Sequence, residues 1–194
     1  GVGRTLRGRT LGLYGYGRIG QAMADYARAI GMRVQWWGSD AGRDRARAAG
    51  ETVPDSRSDF FSTSDIVSLH VRLKPQTRGI VTARDLQQMQ DRALFVNTSR
   101  SGLVESGALE AEVAKGRIFA AVDVFEEEPL KDTTHPLLVS PNVLPTPHIG
   151  YVTEDEFDLQ FTDIFQQINA YAAGAPIHMI NPEVWEEMTG NQDR

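Results

Sequence analysis

Apolar and polar positions follow one another in blocks whose period changes along the chain. Residues 10–14 form a short apolar run, and Gly15, Gly17 and Gly20 come next in G-x-G-x-x-G spacing. Ile19, Ala22, Met23, Tyr26, Ala27 and Ile30 then recur at helical intervals until Gly31 stops them. Residues 32–37 read as a second strand, and 43–49 as a short, arginine-rich surface helix ended by Gly50. A helical turn over 58–64 leads to a buried strand over 65–71 and a loop containing Lys74-Pro75-Gln76-Thr77. Thr82 caps a helix through Met89, residues 93–97 form the next strand, and the polar loop 98–102 precedes a helix over 106–115 with Gly116 as its stop. Residues 119–124 are an apolar strand with an acidic exit, Phe125-Glu126-Glu127-Glu128-Pro129. Residues 142–148 are a last short strand whose prolines suit a sheet edge. A long amphipathic helix starts near Thr153, where Glu154, Asp155 and Glu156 suit the positive end of its dipole. Its Phe157, Phe161, Ile164, Phe165 and Ile168 share one face, expected to be buried.

Strands alternating with helices predict an α/β fold with a doubly wound, mostly parallel sheet of the Rossmann type. Residues 1–150 read as one domain, which the glycine spacing suggests binds a dinucleotide, and 151–194 as a C-terminal helix and tail. The 194 residues, 41% hydrophobic and 24% charged, suffice for one full domain and part of another. With no cysteine, disulfides, thiolate metal sites and thiol nucleophiles are excluded, no metal site is read, and a reducing cytoplasm is the expected compartment. A net charge of -6 speaks against nucleic acid or an anionic membrane as partner, and Arg4, Arg7 and Arg9 read as a solvated lead-in. No apolar run approaches the ~20 residues of a membrane span. The chain begins at Gly1 rather than methionine, almost directly before its first strand, which suggests a piece of a longer polypeptide.

The glycine turn is the first chemical signal. Gly15 permits the tight turn, Gly17 lets backbone approach a pyrophosphate, and Gly20 lets helix pack closely on strand. The following helix N-terminus offers N–H groups to the phosphates. In such a sheet, ligands bind beyond the carboxyl ends of the strands, so polar residues just after strands are the candidates. Asp40, Arg100, Glu128 and His148 qualify. A guanidinium can hold a carboxylate by two hydrogen bonds and polarise a neighbouring carbonyl. An imidazole exchanges a proton near neutral pH, and a carboxylate beside it favours the charged form.

Together Gly15-Tyr16-Gly17-Arg18-Ile19-Gly20, Asn97-Thr98-Ser99-Arg100, Asp123-Val124-Phe125-Glu126-Glu127-Glu128-Pro129 and Thr146-Pro147-His148-Ile149-Gly150 resemble the D-isomer-specific 2-hydroxyacid dehydrogenases, in order and over essentially the whole chain. The resemblance implies hydride transfer between a nicotinamide cofactor and a D-2-hydroxy or 2-oxo acid. Arg100 would bind and polarise the 2-oxo acid, His148 act as general acid/base, and Glu128 orient His148. Asp123 would contact the nicotinamide end, with Arg18 and Ile19 over the pyrophosphate. Gly15, Gly17, Gly20, Ser39, Asp40, Val71, Thr77 and Thr98 complete the expected cofactor set. A homodimer is implied as well. His70 reads as structural or cofactor-adjacent, and His135 and His178 as structural.

Three departures stand out. The acidic residue that the family carries at the end of the second strand falls at Gly38. Asp40 lies at about the ~20-residue distance beyond the glycine motif, whereas Gly38, Ser39 and Arg43 leave room for a 2′-phosphate. NAD is favoured and NADP is compatible. Arg72 stands where the family has proline. The N-terminal half of the family's substrate domain has no counterpart here, and residues 177–187 resemble the strand that returns to that domain, so little turnover is expected of this chain alone. The competing reading is a non-catalytic NAD(P)-sensing module. Methyl transfer from a nucleoside cofactor would leave the Arg/Glu/His set without a purpose, and Glu rather than Gln at 128 speaks against a formate-type enzyme.

Overall fold

Six short strands build one sheet: β1 (Thr10–Tyr14), β2 (Arg33–Trp37), β3 (Ile66–Leu69), β4 (Leu94–Asn97), β5 (Phe119–Val122) and β6 (Val143–Pro145). All neighbours pair in parallel, in the order β2-β1-β3-β4-β5-β6. The chain thus moves one way from β1 to β2 and the other way from β3 onward. That reversal opens a crevice at the carboxyl ends of β1 and β3. The computed structural model describes residues 3–190, and its contacts separate into two units on either side of the Gly150–Tyr151 bond.

The helices of the first unit are α1 (Arg18–Ala29), α2 (Asp40–Ala48), α3 (Arg57–Thr63), α4 (Ala83–Gln88), α5 (Ala108–Ala114) and α6 (Pro136–Val139). Strand alternation sends successive side chains to opposite faces of the sheet. Leu11, Leu13, Val34 and Trp36 pack with Ala24, Ala27 and Ala46 of α1 and α2. Tyr14, Trp37, Val67, Leu69 and Phe95 pack instead with Phe60, Phe61, Leu86 and Leu109 of α3, α4 and α5. Both faces are covered, which is why the strands read as continuous apolar runs.

α1 faces the sheet differently from its apolar stripe. Its buried residues are Gly20, Ala24 and Ala27, whereas Ile19 and Tyr26 are 73% and 70% exposed. Close approach explains this: a Cβ at Gly20 would lie 2.7 Å from the Gly15 carbonyl and 3.0 Å from the Trp36 ring. Only small residues fit between this helix and the strands.

Other sequence expectations are adjusted in detail. Ser39, not a residue near Arg43, starts α2; its Oγ accepts from the Gly42 N–H at 3.2 Å. Arg9 is more than a solvated lead-in, since it pairs with Asp65 at 2.6 Å and so ties the approach to β1 to the start of β3. Thr82 caps α4 as expected, in a reciprocal box with Asp85. β6 is an edge strand, with Leu144 67% exposed.

The second unit contains α7 (Glu154–Ala172) and α8 (Pro182–Gly190). Thr153 caps α7 through the Glu156 N–H, as the sequence suggested. The expected burial of Phe157, Phe161, Ile164, Phe165 and Ile168 is not found: each is 41–60% exposed. Phe157 and Phe161 instead contact each other along the helix, with centroids 4.4 Å apart and ring planes tilted by 42°. Of the tail 177–187 expected to resemble a returning strand, residues 182–187 lie in the helix α8, begun by Pro182 at its first position.

Candidate active site

The carboxyl ends of β1, β3 and β4 enclose a cleft of about 670 Å³, lined by Gly17, Arg18 and Ile19 from the glycine turn, residues 70–73 after β3, and Thr98, Ser99 and Arg100 after β4. The three glycines divide the labour. A Cβ at Gly15 would sit 2.5 Å from the His70 carbonyl, so this residue, at φ +122°, is where the turn touches β3. Gly20 is the helix contact described above. Only Gly17 faces the cleft, where an added Cβ would meet nothing within 4 Å. It is also the N-cap of α1 and provides no side-chain acceptor for the helix. Open backbone, a bare helix N-terminus and the exposed Arg18 fit a dinucleotide pyrophosphate.

In the wall of the cleft, burial pushes the His70 imidazole below its ordinary value of 6.5, so it is neutral at physiological pH. Its Nε2 lies 3.0 Å from Ser68 Oγ. The loop after β4 is pinned from inside. Ser99 Oγ donates to the Leu69 carbonyl at 2.7 Å, and Asn97 Nδ2 donates to the Arg100 carbonyl at 2.9 Å. The anchored backbone leaves the Arg100 side chain at the surface, its Nη1 donating to the Ser99 carbonyl at 2.6 Å.

Glu128 is singled out from its acidic neighbours by its contacts. Its Oε1 accepts from the Phe125 N–H at 2.9 Å and its Oε2 lies 2.7 Å from His148 Nδ1. The Phe125 N–H, the His148 hydrogen bond and the nearby charges of His148 and Arg100 hold its carboxyl below the ordinary 4.5. Glu128 therefore lies within electrostatic reach of both Arg100 and His148, residues remote from it in sequence. His148 itself has φ +57°, a strained conformation for a residue other than glycine. An apolar hollow of about 310 Å³ opens beside the pair, walled by Phe125, Leu130, Leu138, Pro145 and Pro147.

The strain at His148 is held in place by Asp123. This carboxylate is 3% exposed and accepts from Thr146 Oγ1 at 2.5 Å and from the Ile149 and Gly150 N–H groups at 2.9 Å each. Burial alone would raise its pKa, but these donors outweigh that and keep it low. Asp123 is thus turned into the loop that carries His148. Thr77 is held within its own loop, its Oγ1 donating to the Arg72 carbonyl at 2.7 Å and accepting from the Lys74 N–H at 2.8 Å. Asp40 does not lie in a loop but opens α2, 88% exposed and paired with Arg43. Ser99, Arg72 and Leu73 line the cleft and were not among the sequence candidates. Their position directly after strand ends was the available signal.

The family described as "D-isomer specific 2-hydroxyacid dehydrogenase, NAD binding domain" matches residues 1–150. The D-3-phosphoglycerate dehydrogenase of Methanocaldococcus jannaschii is 38% identical over 173 residues, covering 89% of this chain and 33% of that protein. The glyoxylate reductase of Aeropyrum pernix is 36% identical over 185 residues, covering 94% and 55%. The crystal structure of a phosphoglycerate oxidoreductase from Vibrio cholerae superposes with a TM-score of 0.83 at 46% identity, over 90% of this chain and 56% of that one. The chain spans a third to about half of the length of these relatives.

Proposed function

This chain belongs to the D-isomer specific 2-hydroxyacid dehydrogenases through their NAD-binding domain, and from that premise we propose that it serves hydride transfer between a nicotinamide cofactor and a D-2-hydroxy or 2-oxo acid. The Glu128–His148 pair at 2.7 Å carries the reading. A module that only senses a nucleotide has no need of a strained histidine held against an ionised carboxylate.

The cofactor, when bound, supplies or accepts the hydride; the chain's residues handle charge and proton. Gly17 and the α1 N-terminus receive the pyrophosphate. Arg100 holds the substrate carboxylate and steadies the negative charge that grows on the carbonyl oxygen during reduction. Glu128 fixes the hydrogen of His148 on Nδ1, so Nε2 is the atom that gives a proton to that oxygen and takes it back in oxidation. Glu128 acts through His148 and is a positioning residue. Asp123 holds the loop on which His148 sits.

The test is oxidation of reduced cofactor with a panel of 2-oxo acids, using the full polypeptide. His148→Asn should lower kcat by roughly 10²–10⁴-fold with cofactor affinity retained. Arg100→Ala should raise KM and lower kcat together. Glu128→Gln should shift the pH profile of kcat, a readout that a merely structural role would not move. Cofactor binding with no turnover of any 2-oxo acid, or turnover unchanged in His148→Asn, would favour the sensing module instead.

A further inference from the structure

The end of β2 departs from the pattern that selects a cofactor without a 2′-phosphate. In dinucleotide folds a carboxylate at this point binds the adenosine ribose hydroxyls, while a nearby arginine in its place accommodates a 2′-phosphate. Here β2 runs out at Trp37 into Gly38, which has no side chain. Its position is well defined, because the Gly15 N–H donates to the Trp37 carbonyl at 2.8 Å and a Cβ at Gly38 would face the Gly15 backbone at 3.6 Å. The strand end thus lies directly against the glycine turn.

Two guanidinium groups of α2 flank this corner, one at the strand end and one at the glycine turn. Arg43 lies 4.4 Å over the Trp37 ring and donates through Nη1 to the Gly38 carbonyl at 2.7 Å. Its Nε is buried with no hydrogen-bond partner among the described residues. Arg45 reaches across to the Tyr16 carbonyl, inside the glycine motif, at 3.2 Å. Ser39 caps α2 by accepting from Gly42 and keeps its own O–H hydrogen to donate. The carboxylate nearest the strand end, Asp40, points to solvent and is neutralised by Arg43. A neutral hydroxyl, a guanidinium at the strand end, a second on the glycine motif and the positive end of a nine-residue helix stand near the point where a carboxylate would repel phosphate.

Given the dinucleotide reading above, we propose that this corner receives a 2′-phosphate through Ser39, Arg43 and Arg45, so that the chain holds NADP(H) at least as tightly as NAD(H). Asp40 then acts as a counter-ion that the phosphate displaces.

NADH and NADPH are titrated against the 194-residue chain by calorimetry or by quenching of tryptophan fluorescence. NADPH should bind as tightly as NADH or more tightly, with the steeper loss of affinity on raising salt. Ser39→Asp, which keeps a good helix cap but adds negative charge, should lower the ratio of NADPH to NADH affinity by about tenfold or more. Arg43→Gln should weaken NADPH more than NADH, and Asp40→Asn should strengthen NADPH. Arg47→Ala, on the same helix and paired with Asp44, serves as a neutral control. NADH binding at least tenfold more tightly than NADPH would overturn the proposal and leave the dinucleotide reading standing. So would a selective loss of NADH affinity in Asp40→Asn, which would make that residue the ribose ligand, or an equal loss of both in Arg43→Gln. Binding of neither cofactor would overturn the dinucleotide reading together with this one.

Discussion

At the scale of single residues, the chemistry rests on side chains whose partners are far away in sequence. Glu126, Glu127 and Glu128 are alike in the sequence, and what distinguishes Glu128 is a hydrogen bond from Phe125 and a histidine twenty positions on. Because its folded carboxyl lies below 4.5, the pair is fully formed above that pH and is lost only as pH falls through the lowered value. The acid limb of activity should therefore not follow an ordinary glutamate; a kcat–pH profile falling near 4.5 and unaltered in Glu128→Gln would contradict this. Asp123 shows the opposite case. Its place after β5 was legible, but its inward direction depends on Thr146, Ile149 and Gly150, which no local pattern joins to it.

Elements are joined by a few buried polar groups. Asp85 caps α4 and also receives Arg57 Nε and Nη2 of α3 at 2.7 Å each, while Arg57 Nη1 donates to the Tyr14 hydroxyl at 3.1 Å. Burial pushes the Asp85 carboxyl up, but the Arg57 and Thr82 donors outweigh it and hold it below 3.8. Its stabilisation is thus complete above that pH and is lost as pH falls through the folded value. Asp85→Ala should cost about 2–4 kcal/mol in denaturant unfolding and flatten the acid loss of stability. Gly20→Val tests the helix-to-strand approach. With backbone only 2.7 Å from a Cβ, the turn must shift, and the expected cost is roughly 1–3 kcal/mol together with weakened cofactor binding. The periodicity located α1 correctly, yet its bulky stripe faces outward, because the distance to Trp36 and Gly15 rather than hydrophobicity decides which side can approach the sheet.

For the molecule as a whole, charge is distributed against its average. The chain carries -6 overall, but the exposed side chains at the cleft rim include Arg18, Arg72 and Arg100. Such a rim attracts an anionic dinucleotide and is screened within about 10 Å at 0.1 M salt. NADH affinity should fall several-fold between low and high ionic strength, and Arg72→Ala should reduce that dependence. An affinity indifferent to salt would mean that the rim plays no part. Among the described residues no helix is long and apolar enough to cross a membrane.

The order of strands and helices, the glycine turn and the identity of the strand-end residues were set by the sequence alone, because periodicity, capping and turn chemistry act over a few residues. The α4 cap at Thr82 and the α7 cap at Thr153 belong to this class. Which side of α1 is buried, which of three glutamates meets His148, and where Asp123 points were decided by the tertiary structure. Each depends on contacts between separate elements, such as Gly20 with Trp36, Glu128 with His148 and Asp123 with Thr146, and such contacts exist only once the strands stand side by side.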